Sequence, residues 1–372
     1  MSAERGAPVP ASVALHRVRL PLVRSHRAAH GTEAIREVVL VEVVLDDGQV
    51  GWGECSTLSR PTYSPEYTTT AWWVLREVVV PAVLAGEPPA VAGHRMAVAA
   101  VATAMADAVL RQVGRSLAQE VAGRHGTSPR PAVPWAAVIG RGPDPDAVVA
   151  EAGEALAAGA VLVKCKATPR AEDLAAVEAV RAAFPDAALA VDWNGTAEPA
   201  GLRRLDRLGL AYVEQPAPAD ALVASAAMAA SIGAPVALDE SVATRGELDT
   251  AVALGAGRIV NVKPGRAGGP AAAADLVAHA RNAGLEAFVG GMVETGVGRA
   301  AALAVAALPG CALPTDLGPS SRYLSPELTE ELVVDDRGRM VVPAGPGIGV
   351  VPDPDRLAAA TVDRWRAERS RP

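Results

Sequence analysis

Aromatic side chains are scarce in this sequence: Phe, Trp and Tyr together make 3% of 372 residues. A core stacked from large rings is therefore excluded, and the apolar half of the chain has to pack as Ala, Val and Leu. Such small aliphatics suit helices and barrel strands. Cysteine is scarce too. Cys55, Cys165 and Cys311 are far apart and odd in number. They give neither a disulfide framework nor a zinc spacing, so a reducing cytoplasm is the expected compartment. An excess of positive charge is absent. The formal net charge of −7 argues against a nucleic-acid surface. The opening MSAERGAPVP has no apolar segment of the kind a secretory signal needs. One uncharged stretch, 221–238, is long enough to raise the question of a membrane span. It is rich in Ala, carries Ser225 and Ser231, and is interrupted by Gly233 and Pro235. A helix followed by a short strand accounts for it better.

The length suits about two domains at roughly 150 residues each. Three regions differ in pattern. The first, 1–128, begins with strand-like sequence. VVLVEVVL at 38–45, the turn signal Asp46-Asp47-Gly48, and VGWG at 50–53 predict a hairpin. An Ala-rich helical segment follows over about 96–122, and Pro129, Pro131 and Pro134 then punctuate the chain.

The middle region, 129–318, alternates short apolar runs with helical stretches. The runs are PWAAVI (134–139), AVLVKCK (160–166), ALAVD (188–192), LAYVE (210–214), PVALD (235–239), RIVNVK (258–263), EAFVGG (286–291) and CALPTD (311–316). Gly159, Gly209, Gly233, Gly257 and Gly284 fall just before strands, where helices commonly end. Strands alternating with helices imply parallel βαβ units, and eight of them imply a barrel. An open doubly wound sheet would normally carry a glycine-rich phosphate loop, and none is present. The tail, 319–372, contains ELVVDDRGRMVVP, a hairpin pattern around 335–338 that could pack back on the first region. The expected fold class is thus α/β: a modified (β/α)8 barrel with an α+β cap built from both chain ends.

A barrel of this kind places its chemistry at the C-terminal ends of its strands. The polar residues there are Lys164 and Lys166, then Asp192, Glu214, Asp239 and Lys263, and finally a glycine pair at 290–291. Their separations are 192 − 166 = 26, 214 − 192 = 22, 239 − 214 = 25 and 263 − 239 = 24. A nearly constant period sets each charge at the same height on successive strands. Any one acid could simply cap the next helix. Three in register repel one another unless a cation joins them, and all-oxygen ligation favours magnesium over zinc. Lys164 and Lys166 face one way and Cys165 the other. Neighbouring cations should depress a lysine pKa toward the range of a general base. Lys263 lies across the mouth. Arg266, three residues on, could lower its pKa further or stand as a surface arginine. Gly290-Gly291-Met292 is a turn that can present backbone N–H groups to an anion.

The segments KCK (164–166), DWN (192–194), VEQP (213–216), LDES (238–241), NVKPGRAGG (261–269) and GGMVETGVGRA (290–300) resemble the enolase superfamily. The likeness is to its muconate-lactonizing-enzyme-like subgroup and covers nearly the whole chain. GWGECS at 51–56 and PTYSPEY at 61–67 resemble cap segments that face the mouth. The ending LPTDLGPSSRYLSPEL is similar to the o-succinylbenzoate synthase and N-succinylamino acid racemase branch. The first barrel strand, ending AVIGRG, departs from the Gly-x-Ser-type ending usual there.

This resemblance implies Asp192, Glu214 and Asp239 as magnesium ligands, with Mn2+ as a substitute. It implies Lys166 and Lys263 as the acid/base pair and Lys164 as electrostatic support. Gly290, Gly291 and Met292 would hold substrate, with Asn194, Glu240, Arg266 and Glu294 supporting. The first expectation is an o-succinylbenzoate synthase, a dehydratase of menaquinone biosynthesis. N-succinylamino acid racemisation is the alternative, followed by cycloisomerisation or dipeptide epimerisation, and lastly a catalytically silent barrel. The expected partners are a small carboxylate substrate and further copies of the chain, without nucleic acid or membrane.

Overall fold

The structure is a computed structural model that describes residues 8–29, 31–142 and 144–370. Most of the opening segment read for a signal, residues 1–7, lies outside them. In chain order the strands are β1 (Ser12–Ala28), β2 (Gly31–Val44), β3 (Val50–Cys55), β4 (Ala132–Val133), β5 (Ala136–Ile139), β6 (Leu162–Lys166) and β7 (Ala188–Asp192). They continue as β8 (Tyr212–Glu214), β9 (Val236–Leu238), β10 (Ile259–Val262), β11 (Glu286–Val289), β12 (Met340–Val341) and β13 (Thr361–Glu368).

β5 to β11 form one parallel sheet in sequential order, as βαβ repetition requires. The eighth run, 311–316, is too irregular to be a full strand, yet it closes the barrel. Cys311 bridges Ala287 of β11, and Thr315 bridges Trp135 just before β5. Ala136, Leu162, Ala190, Tyr212, Ala237, Ile259 and Phe288 fill the interior, one from each strand. Three alanines leave room in this plug for Leu162, Ile259 and the ring pair Tyr212–Phe288, whose centroids are 5.6 Å apart, and the strand-end charges lie above it.

Helices separate the strands and start on legible signals. Asp144 and Thr244 cap Pro145–Ala157 and Arg245–Leu254, the latter through a reciprocal box with Glu247. Gly159, Gly209 and Gly284 take the left-handed conformation expected of them. After Arg245–Leu254 that role falls to Gly255 instead of Gly257. Gly257 is needed for space, since a Cβ there would strike Leu238 and the Val236 carbonyl. The stretch 221–238 is the helix Leu222–Ala229 followed by β9. No helix among the described residues is long and apolar enough to cross a membrane.

The cap is an antiparallel sheet in the order β13-β1-β2-β3. Val44 faces Val50 across the predicted turn. The last strand pairs with β1, so both chain ends build this sheet. β1 itself carries Pro21 inside its run, and the β1–β2 register shifts between Pro21 and His26 because proline has no N–H to give the ladder. The predicted helix over 96–122 is two helices, Arg95–Gln112 and Leu117–Gly123. Gly114 turns left-handed between them, and Ser116 starts the second with its own capping box. The first helix lies directly on β3, where a Cβ on Gly51 or Gly53 would collide with the carbonyls of Ala104 or Ala100. The turn at 335–338 forms, with Asp335 accepting from the N–H groups of Arg337 and Arg339. Its second arm, β12, pairs with β4 rather than with the cap sheet. Trp135 Nε1 donates to the Gly338 carbonyl at 3.0 Å, which fixes this turn under the N-terminal end of the barrel.

Candidate active site

Parallel register sets the site. Lys166 pairs with Asp192, and Asp192 with Glu214, so three strand-end charges stand in one row. Asp239 and Lys263 follow the last residues of β9 and β10. Lys164, two residues before Lys166, points to the same interior face, while Cys165 packs outward in the core.

The ammonium of Lys164 is buried between two acids, 2.6 Å from Glu214 Oε2 and 2.6 Å from Asp316 Oδ2. Lys166 Nζ donates to Asp192 Oδ2 at 2.6 Å and to Asn194 Oδ1 at 3.0 Å. Lys263 Nζ donates to Asp239 Oδ2 at 2.8 Å and to the Tyr63 hydroxyl at 3.0 Å. Arg266 donates to Asp239 Oδ1 at 2.5 Å and to the same hydroxyl at 2.8 Å. It is therefore part of the site and not a surface residue.

These pairs reverse one expectation. Burial disfavours charge on Lys164 and Lys263, but their acid partners overrule it and raise both pKa values. The predicted depression counted only neighbouring cations and left out the carboxylates 2.6–2.8 Å away. The acids respond unequally. Burial lifts Glu214 to about 8 against the pull of Lys164. Burial also raises Asp316. One ammonium cannot fully compensate two carboxylates. Asp239 and Asp192 are equally buried, yet Arg266 with Lys263, and Lys166 with Lys164, hold them below the usual carboxylate range.

Among the described residues no group of three His, Cys, Asp or Glu side chains is gathered closely enough to hold an ion. Each predicted ligand faces a lysine instead. The donor set nevertheless fits a hard cation. Glu240 Oε2 and Asp316 Oδ1 are buried carboxylate oxygens with no hydrogen-bond partner. Burial, with Asp239 and Asp192 nearby, pushes Glu240 to about 7. The cluster holds five acids (Asp192, Glu214, Asp239, Glu240, Asp316) and four bases (Lys164, Lys166, Lys263, Arg266). Its formal charge is 4 − 5 = −1. A divalent cation and one substrate carboxylate would bring it to neutrality.

Asn194 joins Asp192 to Glu240, donating from Nδ2 at 3.1 and 3.0 Å. Its backbone is left-handed, φ 43°, which suits asparagine. Gly291 and Met292 line the mouth. Gly290 sits behind them, with its N–H donated to the Val262 carbonyl and Asn261 where a side chain would be. The Met292 N–H donates to Glu294 Oε1 at 2.7 Å. Tyr63, Asn261 and Asp316 were not singled out from sequence. Asp316 could have been, since it ends the eighth run as Asp192 ends the third. Asn261 donates to Glu214 Oε1 at 2.8 Å from one rung deeper in β10. Tyr63 reaches over from the loop at 61–67, the segment whose resemblance placed it at the mouth without singling out this residue.

Lys164, Lys166, Asp192, Glu214 and Lys263 line one cavity of about 690 Å³, counting its opening to solvent. Leu58, Tyr63, Met292 and Tyr323 give it an apolar side. The family model described as "Enolase C-terminal domain-like" matches residues 147–356. An N-succinylamino acid racemase of Amycolatopsis sp is 39% identical over 94% of this chain and 96% of its own. An o-succinylbenzoate synthase of Geobacillus kaustophilus is 34% identical over 96% of this chain and 94% of its own. The muconate lactonizing enzyme of Pseudomonas fluorescens, solved with muconolactone, superposes with a TM-score of 0.88 at 26% identity, covering 95% and 100% of the two chains. With the barrel, the cap and the strand-end lysines and acids in place, the family match over more than half its length makes this chain an enzyme of the enolase superfamily.

Proposed function

We propose that the chain interconverts the enantiomers of N-acylated amino acids, N-succinyl derivatives first among them, by moving a proton at the carbon beside the carboxylate. One observation carries this reading: Lys166 and Lys263 line a single cavity from β6 and β10, four strands apart around the barrel. Racemisation needs a base on one face of that carbon and an acid on the other, whereas elimination of water can be run by one lysine alone. The Amycolatopsis relative's name supports the same order. That order reverses the expectation from sequence, which put dehydration first. The second reading, o-succinylbenzoate synthesis, is kept because the Geobacillus relative carries that name over nearly its whole length.

Asp192, Glu214 and Asp239 would hold magnesium, with Glu240 and Asp316 adding charge behind them. Magnesium would supply stabilisation of the negative charge that grows on the substrate carboxylate. Lys166 as amine takes the α-proton from one face while Lys263 as ammonium returns one to the other. The reverse direction exchanges their roles, and no redox partner is required. Tyr63, donated to by Lys263 and Arg266, closes the mouth from the cap side. The chain would act on a small carboxylate without nucleic acid or membrane, and as an oligomer of identical copies.

The test is optical. Purified protein should racemise N-succinyl-L-amino acids, stop when treated with a chelator, and recover with Mg2+ or Mn2+. Turnover that persists in metal-free protein would overturn the magnesium assignment. Dehydration without any racemisation would replace the first reading with the second.

A further inference from the structure

The helix Arg95–Gln112 begins on a residue that does not cap it. His94 precedes it with a left-handed backbone, φ 44°, and its side chain accepts no hydrogen bond from the first turn. A helix start leaves its first N–H groups without intrahelical partners. Glu66 takes two of them from outside the helix: Oε2 accepts from the Met96 N–H at 2.9 Å and Oε1 from the Ala97 N–H at 2.8 Å. This carboxylate is buried, and its negative charge suits the positive end of the helix.

The same residue is one foot of the loop over the mouth. Ser64 Oγ donates to the Glu66 carbonyl at 2.7 Å, between that foot and Tyr63. At the other foot, Ser59 donates to Glu33 Oε1 through its N–H at 3.2 Å and its hydroxyl at 3.1 Å. At the tip, the Tyr63 hydroxyl accepts from Lys263 and Arg266, and Lys263 Nζ stands 5.1 Å from the centre of the Tyr63 ring. The helix that Glu66 holds also backs these two bases. Met96 packs on Gly265, in the short helix Pro264–Ala267, so closely that a Cβ on Gly265 would meet Met96 Cγ at 3.4 Å. Through Glu66, Tyr63 and the segment 263–266 share one footing.

We infer that Glu66 is a positioning residue for the Lys263 half of the reaction: by clamping the loop to the start of Arg95–Gln112, it sets where the Tyr63 hydroxyl stands beside Lys263 Nζ. This rests on the proposed two-lysine reaction and adds that the cap adjusts one of its two faces. Lys166 takes its partners, Asp192 and Asn194, from the barrel. Loosening the loop therefore acts on the face that Lys263 serves and spares the face that Lys166 serves. Alanine at 66 reaches neither N–H group. Glutamine accepts from one of them through its carbonyl oxygen but turns an NH2 toward the other.

The experiment follows α-proton exchange in heavy water for each enantiomer of one N-succinylamino acid. The proteins compared are the natural chain, Glu66→Ala, Glu66→Gln, Tyr63→Phe and the double variant of Glu66→Ala with Tyr63→Phe. Lys166→Ala identifies the enantiomer that Lys263 serves. In Glu66→Ala, exchange of that enantiomer should fall on the order of tenfold or more relative to the other. Glu66→Gln should recover part of the loss. Tyr63→Phe should show the same asymmetry, and adding Glu66→Ala to it should cost little more, because both changes act through one hydroxyl. Should Glu66→Ala fail to fold, the ratio in Glu66→Gln decides, smaller but in the same direction. Equal losses for both enantiomers, or an unchanged ratio, would reduce Glu66 to a helix cap and overturn the inference while leaving the proposed reaction standing. If the natural chain exchanges neither enantiomer, the proposed reaction itself falls, and the inference with it.

Discussion

Asp239 carries the most demanding single role. It accepts from Lys263, from Arg266 twice and through its own N–H binds Gln215 Oε1. Asp239→Asn keeps its volume but loses the charge that both bases face. Turnover should fall on the order of 10³-fold or more, while circular dichroism and the cooperative unfolding transition survive. Persistence of both metal content and turnover in this variant would remove it from the site. The convergence of Lys166, Asp192, Glu214, Asp239 and Lys263 was legible because each stands at a strand end and the period is regular, and that of Lys164 because it lies two residues before Lys166 on the same face. Arg266 was legible only as a choice between two environments, which its 2.5 Å contact with Asp239 decides. The protonation of the lysines was not legible, since it depends on distances to carboxylates that spacing along the chain does not contain.

At the scale of elements, the turn between β11 and the helix Gly296–Ala306 is where cap meets chemistry. Val293 lies in it with φ 55°, a costly conformation for a β-branched residue. Arg36 of β2, fully buried, donates to the Val293 carbonyl at 3.0 Å and to the carbonyls of Ser56 and Thr57 at 2.7 Å. Glu54 of β3 accepts from Thr295 Oγ1 at 2.6 Å and from the Gly298 N–H at 3.0 Å. The cap therefore holds the strained turn from two strands. Burial lifts Glu54 to about 7 from an ordinary 4.5, with Glu294 adding to it and Thr295, Arg36 and Ser56 opposing. The folded chain thus binds this proton more tightly than the unfolded chain does. The stabilisation is complete below about pH 4.5 and is lost as pH rises through 7. The difference, 7 − 4.5 = 2.5, corresponds to about 3 kcal/mol at most. Glu54→Gln cannot ionise, so its melting temperature relative to the natural chain should climb between pH 5 and pH 8. A gap that stays constant with pH would show that Glu54 does not titrate in that range. Of these partners only Ser56 lies within GWGECS; Thr295 and Gly298, which tie Glu54 to the turn, are 241 and 244 residues away, so the contact was not readable there.

For the whole molecule, alternation of strands and helices was enough to predict the barrel, and the structure shows why the eighth stave was the weakest part of that prediction. Residues 311–316 make bridges to both neighbours but no continuous ladder. The cap was harder to read. β1 was missed because Pro21 interrupts it, and the tail hairpin docks under the barrel through β4, not on the cap sheet.

In the proposed reaction two lysines address one carbon from opposite faces. The measurement that tests it most directly is α-proton exchange in heavy water, followed separately for each enantiomer of an N-succinylamino acid, in Lys166→Ala and Lys263→Ala. Each variant should lose racemisation. Each should keep exchange of one enantiomer only, and the enantiomer that survives should differ between the two. Unchanged exchange of both enantiomers in either variant would contradict the two-faced arrangement.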